Sequence, residues 1–275
     1  MASSAQLKKR LRGVSLTAKL SRAMKTVASA KYAKASRLYA AAKAAADETA
    51  AFAPLLPSAQ TAENGAPPCF ILLGYGRGLC GGYNLALHGF AGRRLAEAPD
   101  AVVFAAGKRA AAYLAEAGIP VYRAFFWPDV PAYADFLPLA EEALSLFRAG
   151  KVSAVHVLYQ AYVNTLTQTP AEERLLPIPA AGHDDGQTLF LPSCGTAAAA
   201  LEKRLYETAF AKFVFETSVG AQAATLAAMR TASDNAEKAA ARLENEINRK
   251  RQNAVTAGVL ETAGGAAPEK GETDG

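Results

Sequence analysis

The feature that most constrains the fold is a long stretch without proline near the C-terminus. No proline lies between Pro192 and Pro268, and only Gly220 and Gly258 interrupt residues 197–263. This segment consists mainly of Ala, Leu, Glu, Lys and Arg, which lose little side-chain freedom in a helix. A single helix over this range would be about 100 Å long at roughly 1.5 Å per residue. Because one small core cannot bury such a helix, the segment needs a partner along its length.

A second long helix is predicted at the N-terminus, from about residue 4 to residue 52. Apolar or small residues recur there in alternating steps of four and three, at Leu7, Leu11, Val14, Ala18 and Ser21. A second predicted stripe runs through Leu16, Leu20, Met24 and Val27. Such spacing is typical of a long amphipathic helix or a coiled coil.

The prolines divide the chain, because thirteen of the fourteen lie between Pro54 and Pro192 and proline interrupts helix interiors. The predicted order is an N-terminal helix (1–56), a linker (57–68), an α/β domain (69–178), a loop (179–196), a C-terminal helix (197–263) and a disordered tail (264–275). Predicted strands cover 69–75, 101–107, 119–125 and 152–163, with a fifth at the edge over 173–178. Helical segments at 85–97, 108–117 and 132–148 alternate with them. This alternation predicts a parallel sheet covered by helices.

The C-terminal helix has two compositional sections. Its aromatic residues cluster early, at Tyr206, Phe210, Phe213 and Phe215, and we expect this section to pack on the α/β domain. Small residues dominate from 220 to 241, where two helices can approach closely. Near its end, Arg249, Lys250 and Arg251 place three cations within one turn. These cations either interact with the negative end of the helix dipole or pair with an acidic partner, and both interpretations stay open.

Basic charge is concentrated in the N-terminal helix of this chain, whose net charge is +5. Eleven Lys or Arg residues precede the first acid, Asp47. An acidic protein, nucleic acid, a membrane surface, a transit peptide or a solvated face would each account for this pattern. Cys69, Cys80 and Cys194 lack metal-site spacing and fit reduced thiols. Neither a transmembrane run nor a secretory signal is present in the sequence.

A glycine-rich loop, Gly76-Arg77-Gly78-Leu79-Cys80-Gly81, matches the GxGxxG pattern between a predicted strand and helix. Such a loop either approaches a dinucleotide pyrophosphate or forms a tight structural turn. No phosphate-binding GxxxxGK[ST] motif and no spaced nucleophile–base pair occur in the sequence. Of the scattered histidines, His156 fits a core position in a strand, and His183 fits a solvated turn; a metal site is the less favoured reading of both.

Three segments, in this order, resemble the gamma subunits of F-type ATP synthases. They are LKKRLRGVSLTAKLSRAMKTVASAKYAKA at 7–35, GRGLCGGYN at 76–84, and RTASDNAEKAAARLENEINRKRQNAVTAGVLETAGGA at 230–266. The resemblance implies an α/β fold plus a long antiparallel coiled coil. The N- and C-terminal helices would form the coiled coil, and the central domain would be a Rossmann-like parallel sheet without bound nucleotide or other cofactor. Gly78, Gly81 and Gly82 would then form a structural turn.

The function implied by the resemblance is that of a rotor shaft. The shaft would turn inside a ring of three alpha and three beta subunits, and its foot, with the epsilon subunit, would rest on the membrane ring of c subunits. ATP would be made on beta, so no catalytic residue or metal ligand is expected here. The match begins by Leu7, which favours a bacterial protein, peripheral to the cytoplasmic face of the plasma membrane, over one with a transit peptide.

By the same resemblance, Met24, Lys25, Arg251, Gln252 and Thr256 lie at the level of the beta subunits. Leu189, Phe190 and Leu191 stand where many members carry acidic residues facing the c ring, so we expect an apolar contact there. Two other classes remain as alternatives. One is a basic coiled-coil adaptor that binds nucleic acid or anionic lipid, and the other is an oxidoreductase that binds a nucleotide at the glycine loop.

Overall fold

A computed structural model describes residues 4–56, 65–179 and 194–265. The predicted c-ring residues Leu189, Phe190 and Leu191, the loop histidine His183 and the tail from residue 266 lie outside the described residues. The chain divides into two compact units. The first contains residues 1–24 and 229–275, and the second contains residues 25–228.

The two predicted long helices are present. Helix α1 spans Ser4–Ala50 and helix α5 spans Cys194–Gly265. The first predicted stripe of α1 is buried or half-buried along its length, with Leu7 and Ala18 fully covered. The second predicted stripe is largely exposed, since Leu16 and Leu20 are 66% and 63% exposed and only Met24 is half-buried. Leu16 lies two residues from Val14 and Ala18, which places it on the opposite side of a helix with 3.6 residues per turn.

Within the larger unit, α1 and α5 run antiparallel. Burial and the neighbouring Glu216 carboxylate raise the pKa of the Tyr39 phenol, and the hydroxyls of Thr49 and Thr208 lie 2.8 Å apart. As the residue number increases along α1, the number of the neighbouring residue on α5 decreases, as expected for antiparallel helices. In the smaller unit the same two helices are joined by Arg22, which donates to Glu237 Oε1 from Nε at 3.0 Å and from Nη2 at 2.7 Å.

A five-stranded sheet lies in the larger unit, with strand order β3-β2-β1-β4-β5. The strands are β1 Cys69–Leu73, β2 Val102–Ala106, β3 Arg123–Phe125, β4 Val155–Tyr162 and β5 Gln168–Leu176. Strands β1 to β4 are parallel, as predicted. The prediction of an all-parallel sheet is wrong at one edge, because β5 pairs with β4 in the antiparallel direction. A hairpin with no crossover helix joins them, and Asn164 Oδ1 accepts the N–H groups of Leu166 and Thr167 in its turn.

The third strand is shorter than predicted, since residues 119–122 lie outside it. Pro120 in this segment has no N–H to donate to a strand ladder. The fifth strand begins five residues earlier than the predicted residue 173. The connecting helices are α2 Tyr83–Ala96, α3 Lys108–Glu116 and α4 Tyr133–Arg148, close to their predicted bounds.

Each face of the sheet has its own apolar core. Phe70, Leu72 and Val103 pack with α2 and α3 on one face. On the other face, Ile71, Phe104 and Val157 belong to a core that includes α4 and the α5 aromatics Tyr206, Phe210, Phe213 and Phe215. This packing confirms that the aromatic section of α5 is anchored to the sheet. The compact unit is therefore larger than the predicted α/β domain of 69–178, because parts of both long helices complete its core.

Candidate functional site

The glycine-rich loop between β1 and α2 closes around the side chain of Asn84. Asn84 Oδ1 accepts the N–H of Tyr75 at 3.2 Å. Its Nδ2 donates to the carbonyl oxygens of Tyr75 and Arg77, at 3.2 and 3.1 Å. Gly81, with φ of 59°, takes the left-handed conformation, and Gly82 precedes the first turn of α2. Polar backbone groups of the loop are thus bonded to a neighbouring side chain, which is the arrangement of a closed turn.

This loop is docked on the section of α5 rich in small residues. Tyr75, Cys80 and Tyr83 pack with Ala221 in one buried cluster. The phenol of Tyr83 donates to the carbonyl oxygen of Thr217 at 2.9 Å. A Cβ atom at Gly220 would lie 3.3 Å from the Tyr83 ring, so a residue without a side chain allows the close packing of α5 against Tyr83 at this point. Burial raises the pKa of the Cys80 thiol, which keeps the thiol protonated and poorly nucleophilic.

A charged junction at Asp129 joins three elements of the larger unit. Its carboxylate is 10% exposed and pairs with Lys31 of α1 at 2.5 Å and with Arg77 of the glycine-rich loop at 2.9 Å. Its backbone oxygen accepts the hydroxyl of Ser218, on α5, at 2.6 Å. Sequence reasoning missed Asp129, because nothing around it in Trp127-Pro128-Asp129 marks a residue that bonds both long helices.

The five residues predicted to face the beta subunits lie on the two long helices. Lys25 is exposed and Met24 is half-buried. Arg251, Gln252 and Thr256 are exposed, and the Thr256 hydroxyl donates to the Gln252 carbonyl oxygen at 3.0 Å. Gln252 and Thr256 lie four positions apart in α5, so they share one face of the helix.

The pairing of Arg22 with Glu237 sets the spacing between these predicted residues. Arg251 lies fourteen positions beyond Glu237 in the sequence, or about 20 Å along a helix. Met24 lies only two positions from Arg22. The structure therefore does not bring Met24 and Arg251 to one level of the smaller unit; they form two separate bands along its length.

Charge and exposed apolar surface mark the long helices. Ten of the eleven cations in α1 are exposed, and Lys31, which pairs with Asp129, is half-buried. Near the end of α5, Val255, Val259 and Leu260 are exposed large apolar residues. Exposed apolar residues that recur along one segment are typical of a surface that another protein covers.

Each of the two histidines that the structure describes contacts a neighbouring side chain. His88 stacks on Tyr113 with ring centroids 4.4 Å apart, and burial together with Arg109 lowers the pKa of His88. His156 Nδ1 lies 2.8 Å from Glu172 Oε1. Burial lowers the pKa of His156, although the Glu172 carboxylate opposes this effect. Among the residues that the structure describes, no group of three or more His, Cys, Asp or Glu side chains could hold a metal ion. No helix within those ranges is long and apolar enough to span a bilayer.

Sequence comparison gives one consistent result over nearly the whole chain. A family model described as ATP synthase matches residues 3–268. The ATP synthase gamma chain of Desulfitobacterium hafniense is 30% identical over 282 residues, covering 97% of this chain and 99% of that protein. The gamma chain of Frankia casuarinae is 29% identical over 287 residues, with coverage of 95% and 96%.

Solved structures share the fold. A chain in the rotor of the Euglena gracilis mitochondrial ATP synthase superposes with a TM-score of 0.67 at 18% identity, covering 92% of this chain and 98% of that one. A chain from an assembly of the same enzyme that includes OSCP, F1 and the c-ring gives a TM-score of 0.66 at 18% identity, with 98% coverage of both chains.

Proposed function

Because this chain belongs to the gamma-chain family of ATP synthases, we propose that it is the rotor shaft that couples ion-driven rotation of a membrane c ring to ATP synthesis and hydrolysis. The observation that carries this proposal is the antiparallel pairing of α1 and α5. The Tyr39–Glu216 and Thr49–Thr208 contacts join the helices in the larger unit, and the Arg22–Glu237 pair joins them in the smaller one. Two helices joined side by side resist twisting better than one.

The proposed partners of the shaft are three alpha and three beta subunits. The one-sided charge of α1 supports this assignment, because its exposed cations fit acidic surfaces on a surrounding ring. Val255, Val259 and Leu260 supply apolar surface near the end of α5 that such a ring would cover. The proposed contacts with beta are made by Met24 and Lys25 in one band and by Arg251, Gln252 and Thr256 in another, and those of Arg251 and Gln252 are polar.

The proposed foot is the larger unit, which would bind the epsilon subunit and rest on the c ring. We propose an apolar contact with the ring through Leu189, Phe190 and Leu191, which lie outside the described residues. In this arrangement the chain is a peripheral membrane protein at the cytoplasmic face of a bacterial plasma membrane.

The chemistry of ATP is proposed to take place on the beta subunits. In this chain, the glycine-rich loop holds Asn84 against its own backbone. A dinucleotide loop instead directs its backbone N–H groups at a pyrophosphate. This difference supports a structural role for Gly78, Gly81 and Gly82 and argues against the oxidoreductase alternative.

Co-purification tests the proposal directly. The chain, carrying an affinity tag and expressed at its native level in its host organism, is expected to co-purify with a membrane-bound ATPase that contains alpha, beta, epsilon and c subunits. Arg251→Cys, joined by an added oxidant in a disulfide to an engineered cysteine of beta, should stop ATP hydrolysis, and reductant should restore it. Cross-linked enzyme that hydrolyses ATP and pumps ions at full rate would show that the chain does not rotate against beta. Recovery of nucleic acid without ATPase subunits would favour the basic adaptor.

A further inference from the structure

A cavity of about 610 Å³ opens at the carboxyl ends of three parallel strands in the larger unit. Gly76 follows β1, Gly107 follows β2 and Phe126 follows β3, and all three line it. In open sheets with parallel strands, ligands bind outside the carboxyl ends of the strands. This space, here called the cationic cavity, is distinct from the interior of the glycine-rich loop, which Asn84 fills.

The walls of the cationic cavity carry an excess of positive charge from three segments. Lys31 and Lys34 come from α1, Arg77 from the glycine-rich loop and Lys108 from the first turn of α3. Asp129 is the single carboxylate in the lining and is already paired with Lys31 and Arg77. Four cations and one carboxylate leave a formal charge of +3. Within the described ranges, neither Lys34 nor Lys108 forms an ion pair.

A second polar feature adjoins the cationic cavity. A smaller cavity of about 30 Å³ shares Gly76, Gly107 and Asp129 with it and has Thr217 in its wall. Thr217 is 8% exposed, and its buried hydroxyl has no hydrogen-bond partner within the described ranges. A polar space of this size accommodates a water molecule or one oxygen of an anion. The adjoining N-terminus of α3 begins at Gly107 without a side-chain cap, so its dipole adds to the attraction for negative charge.

Aromatic surface completes the lining. Phe126 is 57% exposed, and Trp127 is half-buried against Phe136. A planar base can pack on such rings, while lysines and an arginine bind phosphoryl oxygens. The combination of cations, aromatic rings and an adjoining small polar space fits a small phosphorylated ligand better than an extended acidic peptide.

We propose that the cationic cavity binds a phosphoryl group, supplied either by inorganic phosphate or by a nucleotide. Lys34 and Lys108 contact its oxygens, and Lys31 and Arg77 contribute charge while they remain paired with Asp129. The site goes beyond the rotor function and does not depend on it, because it requires neither the alpha/beta ring nor the c ring.

Intrinsic fluorescence tests this site in the full chain, because Trp127 is its single tryptophan. Titration with inorganic phosphate and with ATP is expected to change Trp127 emission in a saturable way, while adenosine leaves it unchanged. Binding of ATP about tenfold tighter than phosphate identifies a nucleotide as the source, through added base packing. Equal affinities identify free phosphate. Absence of saturation by both anions up to about 10 mM overturns the proposal, as does equal binding of adenosine.

Matched variants locate the binding. Lys34→Ala with Lys108→Ala should weaken the binding of the phosphoryl ligand by about tenfold or more, through the loss of two charged contacts. Arg93→Ala with Lys151→Ala removes the same charge at exposed positions outside the cavity and should leave the affinity within about twofold. Circular dichroism of both variants checks that they fold. An equal loss of affinity in the two double variants overturns the proposal, since it would reflect overall charge alone. If polyglutamate bound and neither inorganic phosphate nor ATP did, the surface would be assigned to an acidic protein. That result would also overturn the proposal.

Discussion

Glu216 accepts a hydrogen bond of 2.9 Å from the backbone N–H of Tyr162, which joins the N-terminal third of α5 to the end of β4. The same carboxylate lies beside the phenol of Tyr39 on α1. One buried acid therefore connects both long helices to the sheet. Burial raises the pKa of Glu216, against the opposing effects of the Tyr162 N–H and of Lys212.

Replacing Glu216 with Gln should flatten the pH dependence of stability. Because the folded chain holds the Glu216 proton more tightly than the unfolded chain, this residue favours folding below the ordinary carboxyl pKa of about 4.3. The contribution is lost as pH rises through the raised pKa. Relative to wild type, the variant should gain stability as the pH increases, measured by urea unfolding of the full chain. Glu246→Gln, at an exposed position of α5, should follow the wild-type curve, and a parallel curve for Glu216→Gln would contradict the prediction.

The Asp129 junction should be important for stability. Asp129→Asn leaves Lys31 and Arg77 without their shared counter-charge, at a site where the carboxylate is nearly buried. We expect a loss of about 2 kcal/mol in the free energy of unfolding, less than for a fully buried pair because both cations reach solvent. Urea unfolding measures it, with Asp100→Asn as an exposed control. A loss no greater than that of the control would mean that the junction contributes little.

Gly107 should not tolerate alanine. Its φ is 99°, and an added Cβ would lie 2.3 Å from the Gly74 carbonyl oxygen. Gly107→Ala should lower the free energy of unfolding by about 3 kcal/mol or more, because it combines backbone strain with a clash against main chain. Gly89→Ala, in α2 with open space around it, should instead stabilise the chain by up to about 1 kcal/mol. Thermal unfolding distinguishes the two, and similar melting temperatures for both variants would refute this account.

The ion pair between Arg22 and Glu237 should contribute little. Both side chains are about half exposed or more, and exposed pairs typically contribute about 0.2 to 1 kcal/mol. A double-mutant cycle with Arg22→Ala and Glu237→Ala should give a coupling free energy in this range that decreases with added salt. A coupling well above about 1 kcal/mol, insensitive to salt, would indicate that the pair is shielded from solvent.

Arg251 and Gln252 should matter in the assembled enzyme more than in the free chain. Both are exposed, so Arg251→Ala with Gln252→Ala should leave the unfolding free energy within about 0.5 kcal/mol. If they bond to beta as proposed, the ATPase rate of the purified complex should fall by about tenfold or more. Arg242→Ala, at another exposed position of α5, serves as the control. An unchanged rate and unchanged ion pumping would remove these residues from the beta interface.

Several elements could be predicted from the sequence because their signals are local. The long helices follow from helix-favouring residues and the absence of proline, and the apolar run of β1 indicates a strand buried on both faces. The glycine-rich loop was located, but its closure by Asn84 depends on side-chain hydrogen bonds that no spacing rule describes. The antiparallel direction of β5 was missed because the periodicity of a strand does not encode its direction.

The sequence by itself determined which segments are helices and strands, and where positive charge accumulates, since both depend on neighbouring residues. Only the tertiary structure decided which stripe of α1 is buried, how α1 is aligned with α5, and that Asp129 bonds Lys31 across 98 positions of the chain. The physical reason is that these contacts join residues far apart in the chain. Their partners are selected by the packing of the whole unit, and no local pattern contains that information.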